Sequence, residues 1–228
     1  MLLRGASMLV LDMPKLERPF VRKFNEKNEY VCVPEIDARF KWVFSDECVA
    51  VEKLDGTNVS IFAENRSIIG IYNRKNSINV WKKGNKRFVD GILETIEREY
   101  FKMDNLADGQ YFGELIGELV NGNPYLVRGH LWLPFNFLQE RLQFKFWNDF
   151  VKDLQDLNDF EIYNKTRNIF KGLWSLYKRK KGMQGTVDET FGFEGLAAEG
   201  IVFYRKGTNE MAKLRRDMFD FFKGRRHE

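Results

Sequence analysis

The segment Val51-Glu-Lys-Leu-Asp-Gly-Thr-Asn58 carries the most chemical information in the chain. Its alternating approach reads as a β-strand, so Lys53 leaves the strand directly into an Asp-Gly turn, held on rigid backbone at a pocket edge. An amine in that position becomes a nucleophile once neutral, and burial or neighbouring cations favour neutrality by lowering its pKa. The same residues also suit an ordinary strand-end lysine beside a hairpin turn. Further along, Phe112-Gly-Glu-Leu-Ile-Gly117 sets Glu114 between glycines, and a second acid, Glu199, precedes the strand Gly200-Ile-Val-Phe-Tyr204. In Ala212-Lys-Leu-Arg215 the period of two points Lys213 and Arg215 the same way, as phosphate-binding cations require. Arg74 stands at the end of another strand. Amine attack on an α-phosphate needs this set: a deprotonated nucleophile, carboxylates for a hard dication, and cations where charge accumulates.

The elements that must position these groups are mainly strands. Trp42-Val-Phe44, 48–53, 58–63 and 67–72 read as short antiparallel strands, the last two around the polar turn Glu64-Asn-Arg66. Residues 110–117 and 130–135 return to strand character, and 200–204 with 211–214 form a closing hairpin. Apolar spacing of three and four predicts a helix from Phe88 through Val89, Ile92, Ile96, Tyr100 and Met103. It predicts another over 136–159 and a third over 168–181. The fold class is α+β, with antiparallel sheets and flanking helices. Without repeats, low-complexity linkers or a clear boundary, residues 1–228 read as a single domain.

Composition narrows the chemistry. The 228 residues include 37 Lys+Arg against 33 Asp+Glu, and 15% aromatic residues supply a core. A chain of this size buries roughly 70% of its unfolded surface. Two cysteines (Cys32, Cys48) and two histidines (His130, His227) provide neither a disulfide framework nor a zinc set, so Ser-His-Asp hydrolysis and His-ligated metals are poor fits. No run nears the ~20 apolar residues of a membrane span, and residues 1–11 lack a signal-peptide pattern, which leads to the expectation of a soluble, cytoplasmic protein with no membrane partner. A pI near 8.9 fits an anionic partner. Three basic clusters could meet one: Lys82, Lys83, Lys86 and Arg87; Lys178, Arg179, Lys180 and Lys181; and Lys223, Arg225 and Arg226. Each also fits a solvated face.

Taken in order, the Lys-x-Asp-Gly segment, the downstream Glu114, an aromatic near 132–135, the Glu199-Gly200 strand and the final Lys213 motif resemble the covalent nucleotidyltransferases, the ATP-dependent polynucleotide ligases and mRNA capping enzymes. Asn58, one residue beyond the Lys-x-Asp-Gly turn, is similar to the phage-type RNA ligases that seal nicked duplexes; DNA ligases and capping enzymes usually carry Arg there. The approach segment Pro14-Lys-Leu-Glu-Arg-Pro-Phe-Val-Arg22 and the string Asn121-Gly-Asn-Pro-Tyr125 also look like that branch. The likeness runs from about Lys15 to Asp217.

That resemblance implies an ATP-grasp-like ligase adenylation domain using ATP and Mg²⁺, with Mn²⁺ as a substitute. It makes Lys53 the residue that takes AMP as a phosphoramidate and places Glu52 beside the adenine, with Asp55 in the same nucleotide site. Arg74 and Glu114 would hold the ribose and neighbouring phosphate, and Phe135, or else Trp132, would stack on the base. Glu199, with Glu114, would hold the metal; Lys213 and Arg215 would neutralise the α-phosphate, Arg215 standing where Lys is frequent; Asn58 would support sealing. The implied partners are a nicked duplex or RNA ends, with an accessory protein or RNA-binding partner supplying grip, since the resemblance leaves only eleven residues after Asp217 and no appended domain. A virus-encoded RNA-repair enzyme fits this pattern. The alternatives are a DNA ligase, a capping guanylyltransferase, or an inactive nucleic-acid-binding module on the same fold.

Overall fold

The protein is described by a computed structural model covering residues 9–104, 106–181 and 199–224. Among the described residues, ten strands form three antiparallel sheets. Strands β1 (Phe20–Phe24) and β2 (Tyr30–Ile36) make a two-stranded sheet. Strand β3 (Cys48–Lys53) pairs with β9 (Gly200–Arg205), which pairs with β10 (Met211–Arg215). The five-stranded sheet has the order β6 (Asn76–Ser77), β5 (Ser67–Asn73), β4 (Thr57–Glu64), β7 (Gly109–Gly117), β8 (His130–Pro134). The expected α+β architecture with antiparallel sheets is therefore observed.

Four α-helices among the described residues flank the sheets: α1 (Lys86–Glu97), α2 (Phe135–Arg141), α3 (Phe146–Lys152) and α4 (Asp159–Lys181). Val89, Ile92 and Ile96 give α1 its apolar face, which packs on β7 and β8; Tyr100 and Met103 lie beyond the helix end. Gly91 allows this close approach, because a Cβ there would lie 2.4 Å from a Leu115 methyl, which would have to move. One core, including Phe20, Trp147 and Phe203, lies behind the three-stranded sheet. A second, with Val51, Leu54, Leu131, Leu133 and Leu138, joins that sheet to the larger one. Each large side chain so buried contributes roughly 1.5–3 kcal/mol.

The strand expected at Trp42-Val-Phe44 is instead the end of a 3₁₀ helix, Ala38–Phe44. Asp37 starts it by accepting from the Arg39 amide at 3.0 Å, and the apolar run that mimicked a strand packs Trp42 and Val43 into the core. The single helix expected over 136–159 is two. It breaks because Glu52 N–H donates to the Leu142 carbonyl (3.0 Å) and Phe144 N–H to the Ala50 carbonyl (2.8 Å), so this stretch lies along β3 as a pseudo-strand. The helix expected from residue 168 starts at Asp159. Asn158 and Glu161 form a reciprocal capping box: Glu161 N–H donates to Asn158 Oδ1 at 3.1 Å and Asn158 N–H to Glu161 Oε2 at 3.0 Å. The β1–β2 pair gave no clean sequence signal, since Pro34 lies within β2 and the register shifts between Phe20 and Arg22.

Candidate active site

Strand register assembles most of the site. Lys53 on β3, Gly200 on β9 and Arg215 on β10 lie in one row across the sheet; Val51, Val202 and Lys213 lie in the row two residues away. Opposed residues and those two apart share a face, so Lys53, Lys213 and Arg215 converge. Gly200 lets the two cations close in across it: a Cβ there would sit 2.1 Å from the Leu214 carbonyl oxygen. Glu199, just before β9, therefore reaches Lys53, and its carboxylate is in direct contact with the lysine Nζ. Its other oxygen lies 3.9 Å from Arg215 Nη1, while Arg215 Nε donates to Asp217 at 3.0 Å.

The opposite wall comes from the five-stranded sheet, where Asn58 on β4 stands across from Glu114 on β7. Between the walls is a cavity of about 470 Å³ lined by Lys53, Glu52, Asn58, Arg74, Glu114, Phe135, Lys213 and Arg215, among others. Glu52 is buried, with its charge felt at the Tyr125 phenol, whose pKa burial and then that charge push well up. Arg74 sits in the turn after β5 at φ 55° and largely exposed, 3.9 Å from Asp12. Phe135 is half-buried at the start of α2. Trp132, the alternative platform, is fully buried behind the sheet, where its Nε1 donates to the Val59 carbonyl at 2.9 Å; it does not line the cavity.

Two expected site residues do not line the main cavity: Glu199, held against Lys53, and Asp55. The Asp55 amide donates to the Tyr125 hydroxyl at 2.8 Å and its carboxylate accepts from Asn121 Nδ2 at 3.0 Å, on the flank of a neighbouring cavity. Asn121 Nδ2 also donates to the Gly56 carbonyl at 2.8 Å. The string Asn121-Gly-Asn-Pro-Tyr125 is thus a brace for the lysine turn. Gly56 in that turn admits no side chain, because a Cβ would lie 2.5 Å from the Leu115 carbonyl oxygen.

The two walls carry opposite electrostatic loads. Burial, then Arg215 and Lys53, lowers the Lys213 pKa to about 8. Burial raises that of Glu114 to about 7; Lys53 opposes the rise, and Glu199 and Asp55 add to it. Burial leads both shifts, and like charges add to them: neighbouring cations weaken the hold of Lys213 on its proton, and neighbouring carboxylates strengthen that of Glu114. A phosphate chain carrying a hard dication would relieve both, and the oxygen donors Glu114 and Glu199 suit Mg²⁺ or Mn²⁺. Among the described residues no cluster of three or more His, Cys, Asp or Glu forms an all-protein metal cage.

Sequence reading singled out residues 14–22 only for their likeness to the nick-sealing branch and gave the segment before β1 no place in the site. Leu11 and Gln110 exchange two hydrogen bonds of 2.9 Å, and Glu17 bridges to Ala212, with Lys213 N–H donating to the Glu17 carbonyl at 2.8 Å. The chain thereby spans from one sheet to the other along the cavity, adding Asp12, Met13, Pro14, Lys15 and Leu16 to its lining. No hydrophobic period marks such an extended strap. Both thiols are buried and pushed up to about 12, which keeps Cys32 and Cys48 out of nucleophilic chemistry. Lys82, Lys83 and Lys86 are exposed, Lys86 pairing with Asp90 at 3.0 Å. The side chains of Arg179, Lys180 and Lys181, and residues Arg225 and Arg226, lie outside the described residues.

A sequence model of the RNA ligase family matches residues 46–218, a span holding Lys53, Asn58, Glu114, Glu199, Lys213 and Arg215. The chain belongs to the RNA ligase family. No curated protein matches it in sequence. Among solved structures, it is similar to Naegleria gruberi RNA ligase with PPi at 15% identity and a TM-score of 0.45, covering 93% of this chain and 59% of that one. Lys-to-Met and Lys-to-Ala variants of that ligase, with AMP and Mn and with ATP and Mn respectively, each match at 14% identity and a TM-score of 0.46. They cover 91% of this chain and 56% and 57% of theirs. The chain thus spans less than two thirds of the length of these ligases. No helix among its described residues is long and apolar enough to cross a membrane.

Proposed function

We propose that this chain is an ATP- and Mg²⁺-dependent RNA ligase of the phage-type, nick-sealing branch, with residues 1–228 acting as its adenylylation domain. The observation that carries the reading is the row Lys53–Gly200–Arg215, with Glu199 against the lysine and Lys213 on the same face. It puts a nucleophile and two phosphate-binding cations on one wall of a cavity of nucleotide size, with the Glu199 carboxylate held against the nucleophile though not itself part of that lining.

In the first step the neutral Lys53 amine attacks the α-phosphorus of ATP, forming an N–P bond as the bond to pyrophosphate breaks. Glu199, in contact with Nζ, is placed to take the ammonium proton beforehand. Lys213 and Arg215 balance the charge gathering on the α-phosphate and departing pyrophosphate. Phe135 offers the adenine a flat apolar face at the wall, Glu52 lies beside it, and Arg74 with Glu114 meets the ribose and adjacent phosphate. Glu199 and Glu114 would hold Mg²⁺ or Mn²⁺, which supplies charge neutralisation at the phosphates. AMP then passes to a 5′-phosphate, giving a 5′–5′ pyrophosphate-linked end. A 3′-OH attacks that end, making the phosphodiester and releasing AMP. Asn58, across from Glu114 with its Oδ1 buried and lacking a hydrogen-bond partner among the described residues, is a neutral amide available to the reacting ends.

Incubation with labelled ATP and magnesium, followed by a denaturing gel, tests the first step. An acid-labile covalent label is expected; its absence from a folded sample would favour the inactive binding module. Sealing across nicked RNA, DNA and hybrid duplexes tests the substrate. RNA is expected to be required on the 3′-OH side, with DNA tolerated on the 5′-phosphate side. Equal sealing of an all-DNA nick would favour a DNA ligase.

A further inference from the structure

On the flank of the Lys53-Leu-Asp-Gly56 turn lies a second cavity, of about 630 Å³, between the Asn121 brace and α4. One end is formed by Asp55 and Asn121; the other by Trp174, Tyr177, Lys178 and Arg216. Arg216 is unusual in its company. Arg167, Arg205 and Arg215 each hold a carboxylate, at 2.6, 2.6 and 3.0 Å respectively. Arg216 makes no ion pair among the described residues, and its Nε and Nη1 are buried without a hydrogen-bond partner. Its guanidinium lies 4.5 Å from the Trp174 ring centre and 5.5 Å from that of Tyr177, and Lys178 Nζ is 5.6 Å from the same indole. A half-buried guanidinium with unsatisfied N–H groups is costly, and an incoming anion offsets that cost.

The cavity is therefore polarised. Arg216 and Lys178 favour a phosphate at one end and the indole offers a π-face beside them. At the other end Asp55 repels phosphate and accepts from hydroxyls. A ligand matching that order has a phosphodiester at one end and free sugar hydroxyls at the other, and Asp55 places the hydroxyl end two residues from Lys53 along the chain.

We propose that this cavity binds the 3′-terminal ribonucleotide of the strand to be extended, its phosphodiester at Arg216 and Lys178 and its ribose hydroxyls toward Asp55. The assignment rests on the ligase reading above and adds to it a binding site for the 3′-OH strand, outside the ATP cavity.

The test uses the full chain and a nicked RNA duplex whose 5′ end is already adenylylated, so that sealing needs no ATP. The double variant Arg216→Gln/Lys178→Gln should form lysyl-AMP from ATP within about twofold of wild type. It should seal the adenylylated nick at least about tenfold more slowly, with a salt slope of binding flatter by about one. Arg216→Lys should recover much of the loss, which a purely structural role for the arginine would not predict. A photoreactive 4-thiouridine at the 3′-terminal position should crosslink to the peptide carrying Trp174 and Tyr177. Wild-type sealing by the double variant, or a crosslink to that peptide only from a 5′-terminal 4-thiouridine, would overturn the assignment. Loss of the ligase reading itself would show separately, as a wild-type protein that neither forms lysyl-AMP nor seals the adenylylated nick.

Discussion

The two walls of the main cavity differ in how they carry charge. The three-stranded wall is built from cations set two residues apart or across one glycine, and of its acids Glu199 is held against Lys53 while Glu52 is buried on β3. The five-stranded wall carries Asn58 and Glu114, with the Glu114 pKa moved to about 7 while that of Lys213, opposite, falls to about 8. Each shift has burial as its largest cause and like charge as a contributor. The comparison teaches that the site is preorganised for a charge distribution the protein alone does not supply. Phosphate on the cationic wall and a dication near the carboxylates would each relieve a strained neighbour.

The largest effect should come from removing the nucleophile of the cationic wall. Lys53→Ala should abolish the AMP adduct, and Lys53→Arg should do the same because a guanidinium stays protonated. Intact-mass spectrometry after incubation with ATP and magnesium checks both, and an adduct on Lys53→Ala would place the nucleophile elsewhere. Next, Glu199→Ala and Lys213→Ala should each slow adenylylation by about 10²–10³-fold without unfolding the protein, since each removes charge beside the reacting phosphate. Rapid-quench rates near wild type from either variant would end the assigned role.

On the other wall, Asn58→Ala should still form the Lys53 adduct but stall before the phosphodiester, accumulating the adenylylated 5′ end on a sequencing gel. Loss of the adduct itself would move Asn58 into the first step. A smaller effect is expected from the brace. Asn121→Ala removes two hydrogen bonds to the Asp55-Gly56 turn, so adenylylation should slow by about tenfold through kcat, with KM for ATP little changed. A change confined to KM would mean that Asn121 contacts nucleotide instead.

The smallest effect is on stability. The folded Lys213 pKa of about 8 lies below the ordinary lysine value, so the unfolded chain holds more protons between about pH 8 and 10.4 and wild-type stability rises with pH across that window. Lys213→Met should therefore raise Tm at pH 7 by about 2–4 °C, with the gain shrinking as pH approaches 10. A gain independent of pH would trace to packing rather than to the buried charge.

Much of this site was legible as residue type and spacing. Lys53, Glu199, Lys213 and Arg215 stood out because strand period and short motif spacing are local properties, and strand register then carried them to one wall. Phe135 and Trp132 could not be separated by pattern, since both are aromatic residues near one strand end; only the β7–β8 packing, which buries Trp132 behind the sheet, distinguishes them. Trp42-Val-Phe44 misled because three apolar residues in a row satisfy any buried element, and only the Asp37 cap selects the 3₁₀ turn. The break between α2 and α3 was hidden for a related reason: helical spacing continues through residues whose backbone is taken by β3.

What the sequence determined by itself was the chemistry of the parts: a lysine at a strand end, acids after glycine-rich strands, alternating cations, and an α+β class set by periods of two and 3.6. Tertiary structure decided which parts face one another. It placed Asp55 on the flank of a second cavity, drew residues 12–16 along the first, and left Arg216 on aromatic rings with no carboxylate partner among the described residues. Local patterns encode which face of an element is apolar. Which two faces meet depends on contacts between residues far apart in the chain, such as Lys53 with Glu199 and Leu11 with Gln110, and no local period records those.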